Sequence, residues 1–472
     1  MNLQFCSPRF RFPPSALQLE SIIYRLLNIA LLAVLVGCAA AADAKPNIVF
    51  FLADDLGYKD VGFTGGAEIK TPQLDQLARA GARLDAFYAQ PVCSPTRGAL
   101  MTGRYPMRYG LQVGVIRPLA RYGLSLDERF LPQALKEAGY FTAMFGKWHL
   151  GSFDRAYWPN ARGFDYWYGH LFGAIDYFRH TRDGNHDWFR NGETNRDEGY
   201  TTHLLARDAV RVIREQPAGK PLFVYVPFNA AHAPHQVPAR YKEPYARLKE
   251  PRRTYAGMVA AMDEAIGQIV NAIEESGRRT NTLFIFCSDN GGVRPGIVTN
   301  NGTLRAGKTT LYEGGVRVCA FATWDGHIPA GSVVTEPLHI VDWYPTLLKL
   351  SGASLEQQKP LDGRDMWPVL TQGRPSPHEA ILLNVTPGNG AIRMGEWKLI
   401  LNGAQPEVDE GSEKPSGVNF SPVRPGQVEL FYLAKDPEER HNLVATEPEK
   451  AKELRGRLDG FAHEAVPPKN KN

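Results

Sequence analysis

Cysteine is scarce in this chain, with 5 among 472 residues. Cys6 and Cys38 precede residue 45, which leaves Cys93, Cys287 and Cys319. Three cysteines are too few for a disulfide framework. A dominant charge is also missing. The 54 Lys and Arg against 50 Asp and Glu leave a formal +4, too little for the concentrated basic face of a nucleic-acid-binding protein. Beyond residue 45 no apolar run approaches the roughly 20 residues of a membrane-spanning helix. There are no internal repeats and no long low-complexity tract. What remains is a chain of ordinary composition, 43% hydrophobic and 22% charged. That length holds one large α/β domain with an appendage, or two to three domains.

The N-terminus reads as an export signal. Arg9, Arg11 and Arg25 precede an apolar run, Leu26 to Gly37, followed by small residues up to Ala44. This is the order of basic region, short apolar region and cleavage site. Two processing sites compete. Leu35-Val36-Gly37-Cys38 resembles a lipobox, which would place a lipid anchor on Cys38, and the Ala-rich stretch after it suits ordinary cleavage. The expected location is exported: periplasmic, outer-membrane lipoprotein or secreted.

From Asn47 the pattern alternates strand and helix. Asn47–Ala53 is almost wholly apolar, as in a strand buried on both faces, and ends in Asp54-Asp55. Thr71 is an N-cap candidate with Pro72 at the first helical position and Gly81 as stop. Leu131–Gly139 and Tyr255–Ser276 read as helices, the second with Met258, Val259, Met262, Ile266, Ile269 and Ile273 on one side. Phe141–Phe145, Leu222–Val226 and Leu283–Cys287 read as strands. They lead to Lys147 and His149, to His232, and to Asp289-Asn290 respectively. An α/β domain with a mostly parallel sheet follows, and ligands of such sheets bind beyond the carboxyl ends of strands. Those residues all fall there. After about residue 372 the texture changes to a hairpin or edge-strand segment, Ala391–Ile400, a Pro/Gly-rich loop and a final charged helix near Glu447–Phe461. The expected division is a signal over 1–44, a catalytic domain over 45–372 and a small antiparallel subdomain over 373–472.

Asp54 and Asp55 at one strand end would repel each other if buried without compensation. With Asp289 and the amide of Asn290 they form an oxygen set suited to Ca²⁺ or Mg²⁺ rather than Zn²⁺. Singly, each pair reads as a turn or cap. Cys287 and Cys319 lie in apolar runs and read as inert core. Cys93 lies in a polar turn, Cys93-Ser94-Pro95-Thr96-Arg97. With Ser94 as cap and Pro95 at the first position, residue 93 sits at a helix N-terminus that favours an anion, and Arg97 can reach back to it.

Cys93-x-Pro95-x-Arg97 followed by Leu100-x-Thr102-Gly103-Arg104 resembles the signature of type I sulfatases. The resemblance extends from Asn47 to Leu443 through Ala53-Asp54-Asp55-Leu56-Gly57, Gly146-Lys147-Trp148-His149-Leu150-Gly151, Asp289-Asn290-Gly291-Gly292 and Glu313-Gly314-Gly315-Val316-Arg317. Within the family, Tyr88-x-Gln90-Pro91, His232-x-Pro234-x-Gln236 and Leu304-Arg305-x-x-Lys308 are similar to the N-acetylgalactosamine-4-sulfatase (arylsulfatase B) type. The resemblance implies an alkaline-phosphatase-like sandwich with a small C-terminal antiparallel sheet. It implies that Cys93 is converted to formylglycine (3-oxoalanine) by a formylglycine-generating enzyme. It also implies that Asp54, Asp55, Asp289, Asn290 and an oxygen of modified Cys93 bind one Ca²⁺. Lys147 and Lys308 then stabilise the sulfuryl oxygens and Arg97 fixes the nucleophile. His232, with Lys308, protonates the leaving oxygen, and His149 deprotonates the second hydroxyl of the hydrate to release sulfate. The implied partner is a sulfated carbohydrate, of N-acetylgalactosamine 4-sulfate type, with algal polysaccharides open and specificity in loops such as Tyr157–Asp187.

Two rivals share these residues: a phosphomonoester or phosphonate-ester hydrolase, and a non-catalytic sulfated-glycan-binding protein with unmodified Cys93. Gly302–Thr309 matches the P-loop pattern letter for letter. A P-loop must follow a strand and open a helix. Here Arg294-Pro295-Gly296 precedes it and Gly314-Gly315 follows too soon, so an ATPase is rejected.

Overall fold

The structure, a computed structural model, describes Met1 and residues 45–403 and 426–469. The export signal, Cys38 and most of the Pro/Gly-rich loop lie outside the described residues.

Among the described residues the main feature is a ten-stranded sheet. Its parallel centre is made by β1 (Asn47–Ala53), β3 (Phe141–Lys147), β4 (Tyr166–His170), β7 (Leu222–Pro227) and β8 (Thr282–Ser288), in the order β8-β1-β7-β3-β4. Beyond β8 come β9 (Ala320–Thr323), then β2 (Ala82–Leu84) and β10 (Ser332–Val334), with β9 antiparallel to both neighbours. Beyond β4, β5 (Phe189–Arg190) and β6 (Glu193–Thr194) run antiparallel. The alternation of β1 explains its unbroken hydrophobicity. Ile48, Phe50 and Leu52 enter the core on one face, and Val49, Phe51 and Ala53 enter the core on the other. Truncating Phe50 or Phe51 to Ala is expected to cost about 3–5 kcal/mol, because both are fully buried.

Helices α1 (Pro72–Arg79), α2 (Cys93–Thr102), α3 (Leu131–Glu137), α4 (Thr201–Glu215) and α5 (Arg252–Glu275) cover the two faces. All six apolar side chains expected on one side of α5 are buried. Helix α5 starts three residues earlier than its periodicity suggests. The Glu250 carboxylate accepts both the amide and the hydroxyl of Thr254, so it satisfies a donor of the first turn. Thr71 precedes α1 as expected, but its hydroxyl does not cap the helix. The carboxylate of Asp263, on α5, accepts the amides of Gln73 and Leu74 at 3.1 and 2.8 Å. A through-space partner has taken the role of the local one.

The small sheet contains β11 (Ile381–Val385), β12 (Gly390–Met394), β13 (Trp397–Leu401) and β14 (Val428–Tyr432), all antiparallel and in that order. The Ala391–Ile400 segment is therefore a hairpin whose strands are central, not edges. Ile381, Leu383, Ala391 and Ile400 pack with Tyr88 and Val316. Leu382, Ile392, Leu399 and Leu430 join the larger core with Leu454 and Leu458 of α6 (Pro448–His463).

Candidate active site

The carboxyl ends of β8, β1, β7 and β3 converge through their backbones. The Asp54 amide donates to Ala230 O, and the Ala231 amide returns to Asp54 O. The Asp289 amide donates to Ala53 O. Ser288 accepts the Leu56 amide and donates to Asn290 O. Asp54, Asp55, Asp289 and Asn290 are thereby gathered at one place, all at most 2% exposed. Asp55 and His149 hold positive φ, 59° and 57°, a conformation uncommon for non-glycine residues and concentrated at functional sites.

Cys93 opens α2 as its first residue, fully buried, with its sulfur 4.0 Å from Asp54 Oδ1. Ser94 is not the cap of this helix. Val92 is the N-cap and Ser94 lies inside the helix, where its hydroxyl donates to His149 O and accepts the Ile116 amide. Residue 93 keeps its place at the helix N-terminus. Arg97 does not simply reach back along the helix. It donates to Asp54 Oδ2 at 2.9 Å, to Asp289 Oδ2 at 2.8 Å and to Lys147 O. Burial opposes its charge, but Asp289 and Asp54 hold the guanidinium above its ordinary pKa. Burial and Asp54 in turn raise Asp289.

Lys147 Nζ lies 2.7 Å from Asp54 Oδ2, and Lys308 Nζ lies 2.9 Å from Asp55 Oδ1. Three carboxylates thus face three cations. Lys308 comes from the loop that mimics a P-loop. No strand leads into it, and a Cβ on Gly291 would sit 1.7 Å from Gly314 O, so the two glycine motifs pack backbone to backbone. His232 Nε2 is 3.6 Å from Asp55 Oδ2, while its Nδ1 lies 2.6 Å from Ala233 O. A carbonyl only accepts, so Nδ1 carries a proton. His149 Nε2 lies 3.0 Å from Ile116 O. By the same reasoning Nε2 is protonated and Nδ1 is the basic nitrogen.

The residues fit a hard cation. Ligand atoms of Asp54, Asp55, Cys93 and His232 all lie within 4.8 Å of one another. Arg97 and Lys147 both engage Asp54 Oδ2, which leaves Oδ1 on the Cys93 side. The Asn290 amide nitrogen donates to Asp55 Oδ1 at 2.7 Å, while Asn290 Oδ1 is buried with no donor. A buried acceptor without a donor calls for a ligand, and an oxygen-rich set is that of Ca²⁺ or Mg²⁺.

A model of the sulfatase family matches residues 46–353. The chain belongs to the sulfatase family. This sulfatase is 37% identical to arylsulfatase J of Mus musculus over 90% of its own length and 77% of that protein's. It is 33% identical to N-acetylgalactosamine-6-sulfatase of Mus musculus, over 86% and 83% of the two chains. Among solved structures, Ps i-CgsB in complex with k-i-k-neocarrahexaose superposes with a TM-score of 0.80 at 33% identity, over 90% of this chain and 94% of that one. The alkaline-phosphatase-like fold and the assignment as a sulfuric ester hydrolase follow from these likenesses.

Residues without a signal in the sequence also border the site of this sulfatase. Asp187 accepts the amides of Leu171 and Phe172 at 3.0 and 2.9 Å, and burial pushes its carboxyl up to about 6. The carbonyls of His170 and Leu171 accept the amides of Trp148 and His149. A Cβ on Gly173 would meet His149 Cε1 at 2.4 Å. Asp187 therefore fixes the segment after β4 that fixes His149. His170, paired with Lys147 across β3 and β4, is fully buried. Burial, Lys147 and Arg97 hold its pKa well below the ordinary value, so it is neutral.

Proposed function

We propose that the protein hydrolyses sulfate monoesters of a glycan with a nucleophile made by oxidising Cys93 to formylglycine. Asp54, Asp55, Asp289, Asn290 and an oxygen of modified residue 93 would hold one Ca²⁺. The observation that carries the reading is the placement of Cys93. Its sulfur is buried at a helix N-terminus, 4.0 Å from a carboxylate that two cations already bind. That surrounding supports an anionic oxygen species better than a plain thiol nucleophile, for which a base without a competing hard cation is needed.

Bound Ca²⁺ supplies positive charge to the sulfuryl oxygens and acidifies an oxygen nucleophile. The aldehyde hydrate supplies an attacking oxygen and a second hydroxyl. Around them, Arg97 holds Asp54 and Asp289 in place. Lys147 and Lys308 present ammonium groups to the charge that develops on sulfate. His232 Nε2 delivers a proton to the departing sugar oxygen. His149 Nδ1 takes the proton of the second hydroxyl, so that sulfate leaves and the aldehyde returns. With three carboxylates balanced by three cations, Ca²⁺ would leave a net +2 facing the sulfate monoanion.

The substrate class we propose is a sulfated glycan of N-acetylgalactosamine 4-sulfate type or of the neocarrahexaose type. Likeness to N-acetylgalactosamine-6-sulfatase and to the Ps i-CgsB complex supports a sulfated sugar. We further read residues 1–44 as an export signal, with maturation by a formylglycine-generating enzyme, and residues 373–472 as an appended subdomain. The test compares 4-nitrophenyl sulfate with 4-nitrophenyl phosphate on protein whose Cys93 peptide shows the lower mass of the aldehyde. A kcat/KM at least a hundredfold higher for the sulfate supports the proposal. Preference for the phosphate, or turnover with an unmodified thiol, sinks it.

A further inference from the structure

The loop after Gly110 runs over the nucleophile and then turns outward. Val115 packs with Cys93. The Ile116 amide donates to Ser94, and its carbonyl holds His149 Nε2. Arg117 follows at one Cα step, roughly 3.8 Å on, and is exposed. A turn closes behind it, with the Ala120 amide on Arg117 O. Arg121 then lies over the Phe153 ring, 5.6 Å from its centroid. Phe153 comes from the segment after His149, tied to the same loop by the Leu124 amide on Leu150 O. Phe153 is 60% exposed and Leu119 is 94% exposed; among the described residues after Met1 no large apolar side chain is more exposed. Among the described residues no carboxylate pairs with Arg117 or Arg121. The loop is also braced from outside. The Lys469 amide donates to Gly110 O, and its ammonium donates to Gly123 O and Ser125 Oγ. The platform is therefore held in place before any ligand arrives.

We propose that Arg117, Arg121 and Phe153 form a subsite for the sugar next to the sulfated one, and that this neighbour carries its own anionic group. The inference rests on the sulfatase reading of the adjoining centre. The chemistry is complementary. Guanidinium groups without carboxylate partners meet sulfate or carboxylate in bidentate fashion, and an exposed ring offers a flat face to a sugar. An isolated sulfated monosaccharide would leave this platform unused. The enzyme would accordingly favour a polyanionic oligosaccharide over a single sulfated sugar.

The experiment measures a chondroitin 4-sulfate tetrasaccharide and a κ-neocarrahexaose as inhibitors of 4-nitrophenyl sulfate hydrolysis. Wild type is compared with Arg117→Ala/Arg121→Ala, Arg117→Lys/Arg121→Lys and Phe153→Ala. For the tighter oligosaccharide, Ki is expected to rise at least tenfold in the double Ala variant and about threefold in Phe153→Ala. The double Lys variant recovers only part of the loss, because it keeps the charge and not the bidentate fork, and the dependence of Ki on salt flattens in the double Ala variant. The proposal is overturned if Ki stays within twofold, if neither oligosaccharide binds wild type, or if KM for the aryl sulfate rises by the same factor as Ki. Absence of aryl sulfate turnover by wild type would instead remove the sulfatase reading. Direct calorimetric titration of the same oligosaccharides into the same variants then decides the subsite on its own.

Discussion

Two clusters of buried charge in this protein are built to different ends. In one, Asp54, Asp55 and Asp289 face Arg97, Lys147 and Lys308. In the other, Lys398 from the small sheet lies 2.8 Å from both Glu313 and Glu439. There Glu439 also accepts the Glu313 amide, and Tyr88 donates to Glu313. The second cluster is closed by these contacts and joins the small sheet to the chain just beyond Lys308. The first is unfinished, since Asn290 Oδ1 has no donor and Asp54 Oδ1 lies on the side of Cys93. Buried charge is costly in either place. On the proposed reading, what separates the joint from the catalytic centre is that Lys398 reaches both carboxylates of the joint, whereas Asn290 Oδ1 meets no donor of the protein.

Removing charge from the two clusters should therefore cost different things. Lys147→Ala is expected to lower kcat for an aryl sulfate by about a thousandfold while moving the thermal midpoint by only a few degrees. A large loss of stability with kcat retained in the folded fraction would merge the two clusters into one class. Next in size, exhaustive treatment with EGTA should lower turnover by about a hundredfold, recovered by added Ca²⁺. Turnover indifferent to chelation would leave the Asn290 acceptor unexplained. Lys398→Met should cost about 3–5 kcal/mol in denaturant unfolding, because two carboxylates lose their ammonium, with kcat per folded molecule within about threefold. The smallest effect concerns pH. Burial, partly offset by Lys398, pushes Glu439 up to about 7 from an ordinary 4.5. Burial acts on Glu313 too, but Lys398, Arg317 and Arg393 hold it below its usual range. A raised carboxyl contributes stability that is complete below about 4.5 and lost as pH climbs through 7. The stability of wild type relative to Glu439→Gln should thus fall by about 1–3 kcal/mol between pH 4.5 and 7.5. A flat difference would place the proton elsewhere.

The first cluster was legible in the sequence and the second was not. Asn47–Ala53 is bounded as its apolar run predicts, and Asp54, Asp55, Lys147, His232 and Asp289 meet because each ends or follows a strand of the parallel centre of one sheet. Strand ends are local signals, and the sheet converts them into one place. Lys398 gave no such signal. A lone lysine in Trp397-Lys398-Leu399-Ile400 reads as the solvent face of a strand, yet it is fully buried because Glu313 and Glu439 come to it from 85 residues before and 41 after. Asp187 was hidden likewise, since its bonds to Leu171 and Phe172 cross a loop without periodicity. The Ser94 cap failed for the same cause: its hydroxyl prefers Ile116 and His149, which no local pattern announces.

The most direct measurement is hydrolysis of a chromogenic aryl sulfate by wild type and Cys93→Ala, both from a host that makes formylglycine and both with Ca²⁺. Turnover is expected in the wild type, with a loss of at least about ten-thousandfold in the variant, the scale on which covalent nucleophiles act. Comparable turnover in the two proteins would contradict this reading, since among the described residues no other nucleophile stands where Cys93 does.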